Sequence, residues 1–167
     1  MHISSRVFNE GERIPTEYTC DAGGAAAATG GINPPLHIDD IPDGTKSLVL
    51  LMEDPDSPVG VWDHWVVFNM PVQSESFYIE EGAEPEGDQG KNGAGGLGYY
   101  NPCPNAGTHR YVFTVHALDG GIDLPQGATK AEVLAAIAGE GSDAPATAPK
   151  IIATASLAGT YSRIKSV

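Results

Sequence analysis

The chain has 167 residues, 41% of them hydrophobic, which is enough to bury one sizeable core; with no linker in sight, residues 1–167 read as a single domain. Twenty-two acidic against nine basic residues leave a net charge of −13, a field that repels nucleic-acid phosphates and anionic head groups at long range and argues against nucleic acid as a partner. Plain solubility and a salt-adapted cytoplasm would each explain that surplus.

The opening MHISSRVFNEGERIP has no basic stretch leading into an apolar run, and no later segment approaches the roughly 18 to 20 apolar residues of a membrane span. The expectation is a cytoplasmic protein with no membrane insertion. Cys20 and Cys103 are too few and too far apart for a metal ribbon or a disulfide scaffold. Reduced thiols are expected, a long-range bridge being open only if the two loops meet. Asp21 to Gly31, DAGGAAAATGG, reads as a mobile surface loop of small residues.

Ser47 to Met52 is a short apolar run bounded by Gly44 and Pro55, which predicts a strand buried on both faces and central in its sheet. His64 to Met70 and Tyr111 to Leu118 carry the same β-branched and aromatic character, and Ile151 to Leu157 is a weaker fourth strand. Gly-rich and Pro-rich connections, including Gly82 to Gly98 and Gly120 to Gly127, separate them. One helix is predicted from Thr129, with Glu132 completing a capping box and Gly139 as its stop. The pattern is mainly β, and two packed sheets are the natural architecture.

The chemistry concentrates around DPDSP and two strand starts. Pro55 and Pro58 bias Asp54 and Ser57 toward extended backbone, so the turn is stiff before any ligand arrives. A two-residue period puts His64 with Val66 and Phe68, opposite Trp65 and Val67, and puts His109 with Tyr111 and Phe113, opposite Arg110. A lone histidine of this kind reads as structural; two of them beside a rigid carboxylate turn point to one polar site. Asp63 is expected at the surface or edge, pointing away from the histidine face.

DPDSPVGVWDHWVVFN followed by PCPNAGTHRYVFTVHAL resembles the two signature regions of the phosphatidylethanolamine-binding protein family, in its bacterial and archaeal Raf-kinase-inhibitor-like branch. IPTEYTCD, NPPL, PDGTKSLVL and SLAGTYSR extend the resemblance over nearly the whole chain. It implies a β-sandwich of two antiparallel sheets with one or two short peripheral helices. It also implies an anion pocket lined by Asp54, Asp56, His64, His109 and Tyr111, walled by Pro58, Trp62 and Pro102. In that reading charged histidines and the Tyr111 hydroxyl donate to the anion, while the aspartates orient the imidazoles. Asn101 stands where many relatives have glycine and would bring a side chain toward the pocket mouth; Ile38 stands where they commonly have tryptophan.

The expected function is therefore a ligand-binding, regulatory protein with a pocket for a small anion, phosphate or a phosphoryl head group. The resemblance adds a kinase or protease partner and a homodimer as expectations. No cofactor and no metal are expected. Two alternatives compete: a hydrolase using the Asp/His cluster, with Ser57 as a conceivable nucleophile, and a protease inhibitor acting through the loop from Gly82 to Gly98 while the pocket is vestigial. That loop also reads simply as a solvated connection.

Overall fold

Eight strands in two antiparallel sheets account for most of the regular structure of this computed structural model, which describes residues 1–23, 31–139 and 148–163. The small-residue loop expected from Asp21 lies largely outside the described residues. The smaller sheet has the order β1-β2-β5, built from β1 (His2–Ser4), β2 (Leu36–Asp39) and β5 (Phe77–Ile79). The larger has the order β6-β4-β3-β7-β8, built from β3 (Ser47–Asp54), β4 (Trp62–Pro71), β6 (Asp88–Gln89), β7 (His109–Leu118) and β8 (Ile151–Tyr161). The helix, α1, spans Lys130–Ala138, and a single 3-10 turn covers Thr16–Tyr18.

The central strand is β3, flanked by β4 and β7, as its unbroken apolar run predicts. Both of its faces are needed. Leu48, Leu50 and Met52 point between the sheets and pack with Trp65, Val67, Phe113, Ile38 and Ile79. Val49 and Leu51 point the other way and pack with Val66, Phe68, Leu118 and Val133 of α1. The protein therefore has three layers, small sheet, large sheet and helix, with a separate apolar core in each gap. Ile38 is fully buried in the first of them.

Helix α1 forms where the capping residues predict it. Thr129 accepts the Glu132 amide and Glu132 reaches back to the Thr129 amide, while Gly139 closes the helix in the left-handed conformation that suits a residue without Cβ. On its first turn, Lys130 bridges Glu53 and Asp63 on the covered face of the large sheet. Asp63 thus points away from the pocket, as expected, but is held by a cation rather than lying free at the surface.

Reduced thiols are the expectation that fails most clearly. Cys20, just beyond the 3-10 turn, and Cys103, beside the pocket, are bridged with their Cα atoms 5.4 Å apart. The Cys20 amide donates to the Pro102 carbonyl at 3.1 Å, so the two loops meet at the backbone as well. The loop from Gly82 to Gly98 also departs from a plain solvated connection. It contains β6, buries Gln89 and Asn92, and turns back through Asn92, whose carboxamide oxygen accepts from the Ala94 and Gly96 amides.

Candidate functional site

At one end of the large sheet a cavity of about 400 Å³ opens between the turn after β3, the start of β4 and the segment leading into β7. Its lining includes Asp54, Pro58, Trp62, His64, Asn101, His109 and Tyr111 from the expected set. It adds Ser57, Val59, Tyr100, Cys103, Pro104 and Asn105. Asp56 and Pro102 fall outside it.

Asp54 closes the turn and aims one histidine. Its Oδ1 accepts the Asp56 amide at 2.9 Å, the side-chain turn favoured by an aspartate before proline, and its Oδ2 accepts from His109 Nδ1 at 2.7 Å. The carboxylate is buried, so both oxygens need those donors. Because Nδ1 of His109 carries the proton given to Asp54, Nε2 is the ring atom open to a ligand. This is the orienting role expected of the aspartates, but only Asp54 performs it.

Asp56 has another task. Its carboxylate takes two bonds from the Arg110 guanidinium, at 2.9 and 2.8 Å, and one from the Arg110 amide at 2.8 Å. Those bonds lower its pKa to about 2. Asp56 therefore pins the turn to the outer side of β7 rather than facing the cavity. Pro102 is likewise buried behind the wall, its carbonyl engaged by Cys20, and Pro104 supplies the proline that faces the cavity.

His64 occupies a different face from the one simple alternation predicts. Leu51 pairs with Val66 and Met52 with Trp65, but the next partners are Glu53 with Asp63. His64 is the extra residue of a β-bulge. The bulge turns it away from the helix-covered face of Val66 and Phe68 and onto the face of Tyr111, whose ring it meets edge-on at 5.1 Å. A bulge is set by the partner strand's register, so the residues of β4 alone do not reveal it.

The charge on His64 also departs from expectation. The ring is buried, and burial lowers its pKa, outweighing the opposing pull of the Tyr100 hydrogen bond and of Asp54. Its Nδ1 lies 2.7 Å from the Tyr100 carbonyl oxygen, which can only accept, so Nδ1 carries the proton. In the neutral ring Nε2 is then an acceptor. His64 offers a lone pair to a ligand where the sequence suggests a charged donor.

Tyr111 is fully buried, and its hydroxyl has the Asp54 carboxylate nearby but no well-formed hydrogen bond among the described residues. Burial, with the nearby Asp54 charge, raises its pKa, so it stays a hydroxyl able to donate. Asn101 does not reach across the pocket mouth. Its side chain is buried and packs into the space left by Gly31, where a Cβ would lie 1.4 Å from the Asn101 Oδ1. Trp62 forms a wall whose back is covered by Gly93; a Cβ there would sit 2.5 Å from the indole. Val59 and Val61, both exposed, stand on the turn that carries Pro58.

The sequence profile of the phosphatidylethanolamine-binding protein family matches residues 4–162. The chain belongs to that family. A UPF0098 protein of Methanothermobacter thermautotrophicus is 41% identical over 167 residues, covering 98% of this chain and 99% of the relative. A UPF0098 protein of Chlamydia trachomatis is also 41% identical, with the same coverage. Among solved structures, a phosphatidylethanolamine-binding protein homologue from Chlamydia trachomatis superposes with a TM-score of 0.81 at 39% identity, covering 98% of this chain and 97% of its own. Escherichia coli YbcL, described as a member of the mammalian family, gives 0.77 at 30% identity, covering 98% of both chains. The two-sheet fold seen here agrees with that of the solved relatives.

Proposed function

We propose that the protein binds the phosphoryl group of a small phosphomonoester in this pocket, taking it as the singly protonated monoanion. One observation carries the reading: buried His64 gives its only proton to the Tyr100 carbonyl and so presents an acceptor, beside a Tyr111 hydroxyl that makes no well-formed hydrogen bond among the described residues. A phosphoryl monoanion matches that pair, because one oxygen bears a proton to give to His64 while another accepts from Tyr111. Trp62, Pro58 and Val59 offer apolar surface to whatever the phosphate esterifies.

The histidines support binding more than turnover. Each is held at Nδ1, one by a carbonyl and one by a carboxylate, and among the described residues neither is bonded to Ser57. The test is calorimetric titration with phenyl phosphate at pH 6 and pH 8, with release of inorganic phosphate followed in parallel. The second phosphoryl pKa is about 6, so tighter binding at pH 6 and no phosphate release are expected. Binding that strengthens toward pH 8, or steady release of phosphate, would refute the proposal.

A further inference from the structure

We infer that the Cys20–Cys103 bridge is a site of thiol–disulfide exchange, attacked at Cys103, and that it sets whether the pocket wall is closed. The wall in question runs from Cys103 to Thr108 and contributes Cys103, Pro104 and Asn105 to the cavity. Among the described residues no hydrogen bond anchors that segment. It is held at its start by the Cys20 amide on the Pro102 carbonyl and by the bridge itself. Cys20 lies on a well-anchored side: Thr19 is buried and bonded to Thr16, and Asp21 is tied to Tyr161 and Arg163 of the β8 end.

The two sulfurs differ in access. Cys103 is exposed and faces the cavity, whereas Cys20 is half-buried and does not line it. An incoming thiolate therefore meets Cys103 Sγ first. A dithiol reductant balances the reaction. Its first thiolate bonds to Cys103 Sγ, the Cys20–Cys103 bond breaks, and Cys20 leaves with the electron pair and takes up a proton. The second thiolate then attacks the reductant's own sulfur in the mixed disulfide, releasing Cys103 as a thiol and leaving the reductant oxidised. Two electrons and two protons pass to the protein.

Reduction frees the segment from Cys103 to Thr108, while His64, Asp54 and Tyr111 stay on the sheet. The oxidised protein is then the binding form. Bridges in reducing compartments are commonly transient and redox-sensing, so the cytoplasmic location expected from the sequence would place this one where exchange occurs.

The ligand arm of the test rests on the proposed phosphoryl binding; the mobility arm does not. Wild-type protein is compared oxidised, reduced by dithiothreitol and re-oxidised, using amide order parameters and inorganic phosphate as the probe. On reduction, order parameters between Cys103 and Thr108 should fall from about 0.85 to below about 0.6, while those of β3, β4 and β7 hold. Phosphate affinity should fall at least tenfold and return on re-oxidation. Glutathione disulfide should leave its adduct on Cys103. Unchanged loop order parameters, equal affinity in both redox states, an adduct on Cys20, or unfolding of the sheet on reduction would each overturn the inference. If neither form binds phosphate, the proposed phosphoryl binding fails and the mobility arm alone decides the bridge's role.

Discussion

A buried tyrosine hydroxyl without a partner is costly, because its lost hydration is not replaced by a protein bond. Tyr111 carries a hydroxyl at the pocket that makes no well-formed bond among the described residues, which makes Tyr111→Phe an informative substitution. The variant should melt at the same temperature or slightly higher, since it removes an unsatisfied polar atom. Its affinity for phenyl phosphate should fall about tenfold or more, the loss of a bond to a charged group being worth about 1.5 to 3 kcal/mol. Calorimetry and a thermal melt on the same sample separate the two effects.

His64 makes a second prediction at this scale. Its folded-state pKa is lowered by burial, so the unfolded chain binds a proton first as pH falls. The stability linked to its neutral form is fully present above the ordinary value near 6.5 and is lost as pH drops toward and through the lowered value. Partly buried His116 is also lowered, with the same sign. Denaturant midpoints measured from pH 7.5 to pH 4.5 should therefore decline more steeply in the wild type than in His64→Gln, which keeps the His116 contribution. Identical slopes would show that His64 is not held neutral.

At the scale of the elements, pocket and fold share parts. Gly93, on the segment after β6, lies directly against Trp62. Gly93→Ala should push the indole aside and cost about 1 to 3 kcal/mol through overpacking, visible in tryptophan fluorescence and in the denaturation midpoint. An unchanged spectrum would mean that this segment is not the backing of the pocket wall.

The elements also show what a sequence reading can reach. The central strand was legible because an apolar run such as LVLLM is needed only where both faces are buried. The helix was legible because Thr129, Glu132 and Gly139 state its ends in local chemistry. β1, β2, β5 and β6 were not read, because two to four residues show too little alternation to stand out. The face of His64 was hidden for a different reason: it depends on a bulge defined by pairing with β3. Asp56 could be told from Asp54 only once Arg110 was seen beside it across the turn. The pairing of Cys20 with Cys103 likewise rests on spatial approach over 83 residues of chain.

For the whole molecule, that bridge is a long-range constraint in a fold dominated by contacts between distant parts of the sequence. Closing a loop of 83 residues restricts the unfolded chain by about 4 to 5 kcal/mol in the loop-entropy treatment. Cys20→Ser combined with Cys103→Ser should lower the unfolding free energy by up to that amount, measured by denaturant titration. A loss below about 1 kcal/mol would show that the unfolded state was already restrained by other means. Net charge bears on the ligand at the same scale. At −13, the global field opposes an approaching anion, so affinity has to arise from local donors and should improve as salt screens that field.

The central claim is that His64 presents an acceptor to a protonated phosphoryl oxygen. Calorimetric titration at pH 6 with inorganic phosphate and, separately, with sulfate tests it most directly, because sulfate has a similar shape but is a dianion with no proton to give. The structure predicts phosphate binding at least tenfold tighter than sulfate in the wild type. Equal or tighter binding of sulfate would contradict it and show that the pocket, if it holds anions, holds them with donors alone.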